Sequence, residues 1–324
     1  MKRVLIVRLD AIGDYVLWRN CLRFLRNCAK YKDAHVTVLG NPAWRDLAET
    51  FDHDCANEWI WAKDRNELFR RPCENLLPYC IWHRRVAAAQ AKLKEQLVAR
   101  RFDEVISPCA FPDSLLDELV LGIAPVTVSV ANGDSLRSAK FTKLVDSGSE
   151  PFVFLRNRTI ASAIGGERCD VQLSLSVARK PQRTGKVLFF TGASHWTKRW
   201  PRRRWRALAQ LLPLGFEAVT APRGTLSDFT RFTASCAAVV SNDTMAFHVA
   251  AALGVPAVVV ANGVTGRDSF WPYPPILGKQ TIACAPEKTH RISIPLLGSR
   301  LSQYLALSSV SATSVAEELK SFLV

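Results

Sequence analysis

The chain has 324 residues, 48% of them hydrophobic, and carries 43 Lys and Arg against 29 Asp and Glu, a formal net charge of +14. That length suggests about two domains and the apolar content is ample for buried cores, while the lack of any run of about 18 apolar residues argues against a membrane span. Nine cysteines, an odd number without a C-x-x-C pair, argue against a disulfide framework or a metal site. They read instead as small hydrophobes in a reducing cytoplasm. The basic excess favours anionic partners, whether nucleic acid, membrane headgroups or phosphorylated substrates, without choosing among them.

RVLIVRL (3–9) is the expected first strand; Arg8 and Asp10 interrupt its apolar run and no small-residue cleavage pattern follows, so it is not read as a signal peptide. A helix from about Tyr15 to Tyr31 comes next, with Leu17, Cys21, Phe24 and Cys28 along one apolar face. HVTVLG (35–40) is a second strand, Ala43–Thr50 a helix, NEWIWA (57–62) a short third strand, 84–100 a long basic helix and FDEVISP another strand. This alternation predicts a doubly wound α/β domain over residues 1–173. RNRTIASAIGG reads as a helix stopped by glycine, and the polar stretch 174–185 as a linker. KVLFF then opens a second α/β domain, 186–324, with the helix RRRWRALAQLL started by Pro201 in the first helical position. The strands EAVTA, AAVVSN and AVVVANG follow, and the last helix, about Ser314 to Leu323, is a candidate to pack back on the first domain.

Three strand-to-helix junctions carry the chemistry. In VRLDAIGDYVLWRN (7–20), Gly13 permits a tight turn and Asp14 stands at or beside a helix N-cap. Asp14 reads either as that cap or as a carboxylate at the carboxyl end of a strand, able to take a proton from an attacking hydroxyl. Asp10 is the competing carboxylate, and Arg8 either points toward the same crevice or is an exposed strand-end residue. One glycine and no G-K-[ST] exclude the dinucleotide fingerprint and the P-loop.

In TGASHWTKRWPRRRW (191–205) the small Gly192, Ala193 and Ser194 let donors approach a ligand, and Lys198 offers a compact cation to diphosphate oxygens. Arg202, Arg203, Arg204 and Arg206 fall mainly off the apolar stripe of Trp205, Leu208 and Leu212, so they read chiefly as a solvated or anion-facing helix surface. SNDTMAFHVAAALGVP (241–256) reads as a strand, a polar turn with Asp243 as N-cap, and a helix from Thr244 to Leu253 stopped by Gly254. Such a helix start suits a phosphate. His195 and His248 read as packed or hydrogen-bonded residues, although His248, one turn after Thr244, can face the same crevice.

Taken in order, IGD, GAS-x3-KRWP and SNDT-x3-H-x-AAALGVP resemble glycosyltransferase family nine, the ADP-heptose:lipopolysaccharide heptosyltransferases and their relatives; GVTGRDSFWPYP (263–274) resembles the segment closing over the donor. The resemblance implies a GT-B fold, two Rossmann-like domains facing across a cleft. It implies inverting, metal-independent transfer from a nucleotide-diphosphate sugar, ADP-heptose favoured, with no cofactor. Carried over by motif, Asp14 is the general base, Arg8 and Gly13 lie on the acceptor side, and Ser194, Lys198, Asp243, Thr244, Met245 and His248 bind the donor. Met245 stands where relatives usually carry a small residue, the region 222–235 is short, and Ala221–Gly224 lacks an acid for a ribose. The expected partners are a nucleotide sugar and an anionic glycan or glycolipid at the inner membrane face of a bacterium, with no specific nucleic acid. A non-catalytic nucleotide-sugar or glycan-binding relative is the alternative.

Overall fold

The structure, a computed structural model, describes residues 1–62, 79–109, 114–131, 139–177, 184–262, 273–286 and 298–323. The chain divides into two compact units, Met1–Val171 and Gln172–Val324. Part of the expected linker, 178–183, and most of GVTGRDSFWPYP, 263–272, lie outside the described residues.

In the first unit the strands are β1 (Arg3–Arg8), β2 (His35–Gly40), β3 (Glu58–Trp61), β4 (Glu104–Ser107), β5 (Val126–Val130) and β6 (Lys143–Val145). All pair in parallel, in the order β3-β2-β1-β4-β5-β6. The helices are α1 (Ile12–Asn27), α2 (Arg45–Phe51), α3 (Tyr79–Val98), α4 (Ser114–Val120) and α5 (Val153–Gly165). Leu5 and Val7 of β1 pack with Leu97 of α3 and Leu119 of α4. Val4, Ile6 and Arg8 alternate to the other face, toward α1. β1 is therefore buried from Val4 to Arg8, the unbroken apolar pattern of a strand covered on both faces.

α1 begins earlier than the apolar periodicity predicts. Asp14 is its third residue, and its Oδ2 accepts the Ala11 N–H at 3.2 Å, which pulls the helix start back past Gly13. Gly13 is thus the second helical residue rather than a turn glycine, and it is not among the glycines with positive φ. The helix also ends at Asn27, leaving Cys28 buried but beyond it. A glycine is required instead at Gly40, where a Cβ would lie 2.4 Å from Trp44 and 2.6 Å from Trp61. The expected glycine stop of α5 is present, Gly166 adopting φ 79°.

The second unit contains β7 (Thr184–Phe190), β8 (Glu217–Val219), β9 (Cys236–Asn242), β10 (Ala257–Val260) and β11 (Thr281–Cys284), all parallel in the order β11-β10-β9-β7-β8. Its helices are α6 (Arg202–Gln210), α7 (Leu226–Ser235), α8 (Met245–Leu253), α9 (Gly298–Ser309) and α10 (Ala312–Leu323). Pro201 is the N-cap of α6, not its first helical residue. Trp205 and Leu208 of α6 join Val187, Val240, Val258 and Leu307 in one core. The last helix, the candidate to return to the first domain, buries Val315, Ala316 and Leu319 in this same core.

β5, β6, β11, α4, α7 and α9 come from the structure alone. For α7 a local signal was present: Thr225 and Asp228 form a reciprocal capping box. The short connection of 220–225 leads straight from β8 into that helix.

Candidate active site

In a doubly wound sheet a ligand crevice opens where neighbouring strands send their connections to opposite faces. The first sheet reverses between β1 and β4, the second between β7 and β9. All three sequence motifs begin at the carboxyl ends of these strands.

In the second unit, the chain leaves β7 through Thr191–Ser194 and enters a short 3-10 turn, Trp196–Lys198. The Lys198 ammonium lies 2.7 Å from Asp243 Oδ2, with the two side chains 33% and 16% exposed. The pair therefore joins the second and third motifs at the reversal point. Ser194 is exposed on the same loop. Thr244, not Asp243, is the N-cap of α8; its Oγ1 is buried, makes no capping bond and has no hydrogen-bond partner among the described residues. A helix N-terminus with an unspent hydroxyl and an adjacent lysine can hold an oxyanion. Met245, the first residue of α8, is partly exposed beside it.

The two histidines have structural partners. His195 Nδ1 lies 2.8 Å from Thr197 Oγ1 and accepts from the Thr197 N–H at 3.3 Å, capping the 3-10 turn. His248 is 5% exposed, with Nδ1 2.8 Å from the Tyr273 hydroxyl. Burial pushes the Tyr273 phenol well above its ordinary pKa, so it remains a neutral hydroxyl. Of the arginines, Arg202, Arg203 and Arg206 are exposed, while Arg204 reaches the Ser308 carbonyl at 3.5 Å.

The residue that shapes this loop is one the motifs did not single out. Asn242, fully buried at the end of β9, donates Nδ2 to the carbonyls of Thr191 at 2.8 Å and Gly192 at 3.3 Å. Its Oδ1 accepts the Trp200 N–H at 3.0 Å. One amide thus fixes both ends of the Thr191–Trp200 loop. The available signal was an asparagine ending an apolar strand, where its desolvated amide must find partners.

In the first unit, Arg8 ends β1 but is only 3% exposed, which overturns its reading as an exposed strand-end residue. Its Nε lies 2.7 Å from Asp10 Oδ2, its NH1 donates to the Pro108 carbonyl at 2.7 Å, and its guanidinium sits 4.9 Å from the Trp18 ring. Asn41 and Trp44 hold the loop from the β2 side, donating to the Asp10 carbonyl at 2.9 and 3.3 Å. Asp14 is partly buried at the start of α1. Both Asp14 readings, cap and accessible carboxylate, fit this position, because the cap bond engages Oδ2 alone.

A groove of about 480 Å³, lined by residues including Thr184, Ala237 and Pro256, opens at the amino ends of β7, β9 and β10, the far end of the sheet from the motif residues. Among the described residues no three His, Cys, Asp or Glu side chains form a group that could hold a metal ion.

Two Rossmann-like parallel units of this kind define the GT-B class. Similar solved structures include the E. coli heptosyltransferase WaaC with ADP-2-deoxy-2-fluoro heptose, 18% identical, covering 98% of this chain and 99% of that one at a TM-score of 0.69. A glycosyl transferase of family 9 from Veillonella parvula DSM 2008 is 16% identical, with coverage of 99% and 97% and a TM-score of 0.64. The E. coli ADP-heptose lps heptosyltransferase II is 20% identical, with coverage of 100% and 98% and a TM-score of 0.63. No curated protein matches the sequence. The model of glycosyltransferase family 9 (heptosyltransferase) matches residues 214–292, which hold the third motif.

Proposed function

We propose that the protein is an inverting, metal-independent glycosyltransferase that moves a sugar, heptose favoured, from a nucleotide-diphosphate donor such as ADP-heptose to a lipopolysaccharide or other surface-glycan acceptor. The observation that carries this reading is the Lys198–Asp243 pair at the reversal of the second sheet, beside a Thr244 hydroxyl with no partner among the described residues. In the proposed reaction the acceptor hydroxyl attacks the anomeric carbon of the donor. Asp14 takes the hydroxyl proton as the new C–O bond forms. The bond from that carbon to the diphosphate breaks, and the electron pair departs with the diphosphate. Lys198, the α8 N-terminus and Ser194 stabilise the charge that develops there. Residues 1–173 supply the acceptor side and 186–324 the nucleotide-sugar side, joined by the linker 174–185. Arg8 and Gly13 belong to the first part as supports of the Asp14 loop; His248 belongs to the second as the α8 residue whose imidazole meets the Tyr273 hydroxyl.

The expected acceptor is an anionic glycan or glycolipid. The exposed Arg199, Arg202, Arg203 and Arg206 offer a cationic face to anionic headgroups, consistent with peripheral contact at the inner membrane face from a cytoplasmic position. Among the described residues no helix is long and apolar enough to cross a membrane. Met245 and the short, acid-free Ala221–Gly224 segment favour the second reading, a nucleotide-sugar or glycan-binding relative with little or no turnover.

Thermal-shift screening against ADP-, GDP-, UDP- and dTDP-linked sugars identifies the donor, since a ligand at 100 times its Kd stabilises the folded state by about 2.7 kcal/mol. With that donor, Lys198→Ala is expected to weaken donor use and Asp14→Asn to reduce transfer by about 10²–10⁴-fold with donor binding retained. Stabilisation without turnover over a broad acceptor set selects the binding-protein reading. Wild-type turnover in Asp14→Asn removes the base assignment.

A further inference from the structure

We infer that Arg8 and Asp10 form a clamp whose work is to position Asp14, and that neither is an acceptor contact or a second base. The inference rests on the proposed transfer reaction and concerns which residues of the first motif touch substrate.

The guanidinium of Arg8 has its neighbours on three sides. One edge meets Asp10 Oδ2 at 2.7 Å, another N–H donates to the Pro108 carbonyl at 2.7 Å, and the Trp18 ring lies 4.9 Å from its carbon. With the residue 3% exposed, little of that planar fork is left for a sugar oxygen. Because Pro108 follows β4 and Arg8 ends β1, the same side chain ties together the two strands between which the sheet reverses.

Asp10 is held through its main chain as well. Its carbonyl accepts from Asn41 Nδ2 and Trp44 Nε1, and Asn41 also reaches the Leu9 carbonyl at 3.3 Å. The next residue, Ala11, donates its N–H to Asp14 Oδ2 at 3.2 Å. Strand β1, the end of β2 and the end of β4 therefore converge on three loop residues, and that loop grips Asp14. A catalytic carboxylate held within a fraction of an ångström depends on such supports.

The test is the pH profile of kcat in four variants, measured with the donor that the wild type uses. In Arg8→Met and Asp10→Asn, kcat falls by roughly ten- to hundredfold from misplacement of the base, while KM for the acceptor stays near its wild-type value and an acidic limb is retained. Arg8→Lys, which keeps the charge without the fork, recovers only part of the lost kcat. Asp14→Asn abolishes the limb. The clamp is overturned if Asp10→Asn abolishes the limb, which makes Asp10 the base, or if Arg8→Met raises acceptor KM with kcat and limb unmoved, which makes Arg8 an acceptor contact. A wild type without turnover on any donor fails the transfer reading and not the clamp. Thermal melts then decide: the double variant Arg8→Met/Asp10→Asn is expected to lose less Tm than the two single losses summed, and additive losses overturn the pairing.

Discussion

Just past the end of β2, Asn41 holds the carbonyls of Leu9 and Asp10; at the end of β9, Asn242 holds those of Thr191 and Gly192. Each asparagine tethers the loop that follows the first strand of its own sheet. The surroundings differ. Around Asn41 the charges turn inward: Arg8 is 3% exposed and spends itself on Asp10, Pro108 and Trp18. Around Asn242 they turn outward: Lys198 is 33% exposed, Ser194 is exposed, and the nearby Thr244 hydroxyl has no partner among the described residues. The first loop has several redundant ties and presents a carboxylate; the second has one main tie and presents donors. A proton acceptor needs a fixed position, whereas a site for a charged, bulky ligand needs unspent donors.

This contrast predicts unequal responses to the same change. Asn242→Ala removes three hydrogen bonds at a buried position and is expected to cost about 3 kcal/mol, together with a roughly tenfold weaker donor Kd, read by urea unfolding and nucleotide titration. Asn41→Ala is expected to cost less, because Arg8 and Trp44 continue to hold Asp10; an equal or larger loss would erase the difference between the loops.

Gly40→Ala probes the redundancy from beneath. The new Cβ would press on Trp44 and Trp61, with an expected cost of about 1–3 kcal/mol for overpacking and, through the Trp44 bond to the Asp10 carbonyl, a lower kcat at unchanged donor affinity. A variant that lost stability and kept kcat would show that Trp44 is not a necessary support.

The smallest effect is expected at the opposite end of the first sheet. Glu104 begins β4, buried against Lys2, Lys30 and the Tyr31 hydroxyl. Burial alone raises its pKa, but Lys2, Lys30 and Tyr31 outweigh that and hold it below the ordinary carboxylate value of 4.5. A carboxyl depressed in the folded state adds stability above its unfolded pKa and loses it as pH falls through the folded value. Glu104→Gln is therefore expected to cost about 1 kcal/mol at neutral pH and to flatten the decline in Tm below pH 4.5, with kcat untouched. Changed kcat would mean that the two ends of this sheet are coupled.

Much of the fold was legible because strands buried on both faces are written as apolar runs. HVTVLG is β2 to the residue, and AAVVSN lies within β9. The elements passed over were short or without strong periodicity: β6 has three residues, α4 seven, and β11 only four. The site was legible to the level of loops. The motif residues Ser194, Lys198, Asp243 and Thr244 do lie at the reversal of the second sheet, and the Lys198–Asp243 pair links positions 45 residues apart. Which residues support them was not legible, because Asn41, Trp44 and Asn242 act on carbonyls distant in sequence, and a carbonyl leaves no mark on residue type.

By itself the sequence determined the strand–helix alternation, the two α/β units and the three loops at strand ends, since each depends on local apolar patterning and on small or charged residues at short spacing. Only the tertiary structure decided that Thr244 rather than Asp243 caps the SNDT helix, that His248 belongs to Tyr273, and that Arg8 is spent inside the protein. Those outcomes depend on which partner a buried polar group finds once water is excluded, and the partners come from other strands.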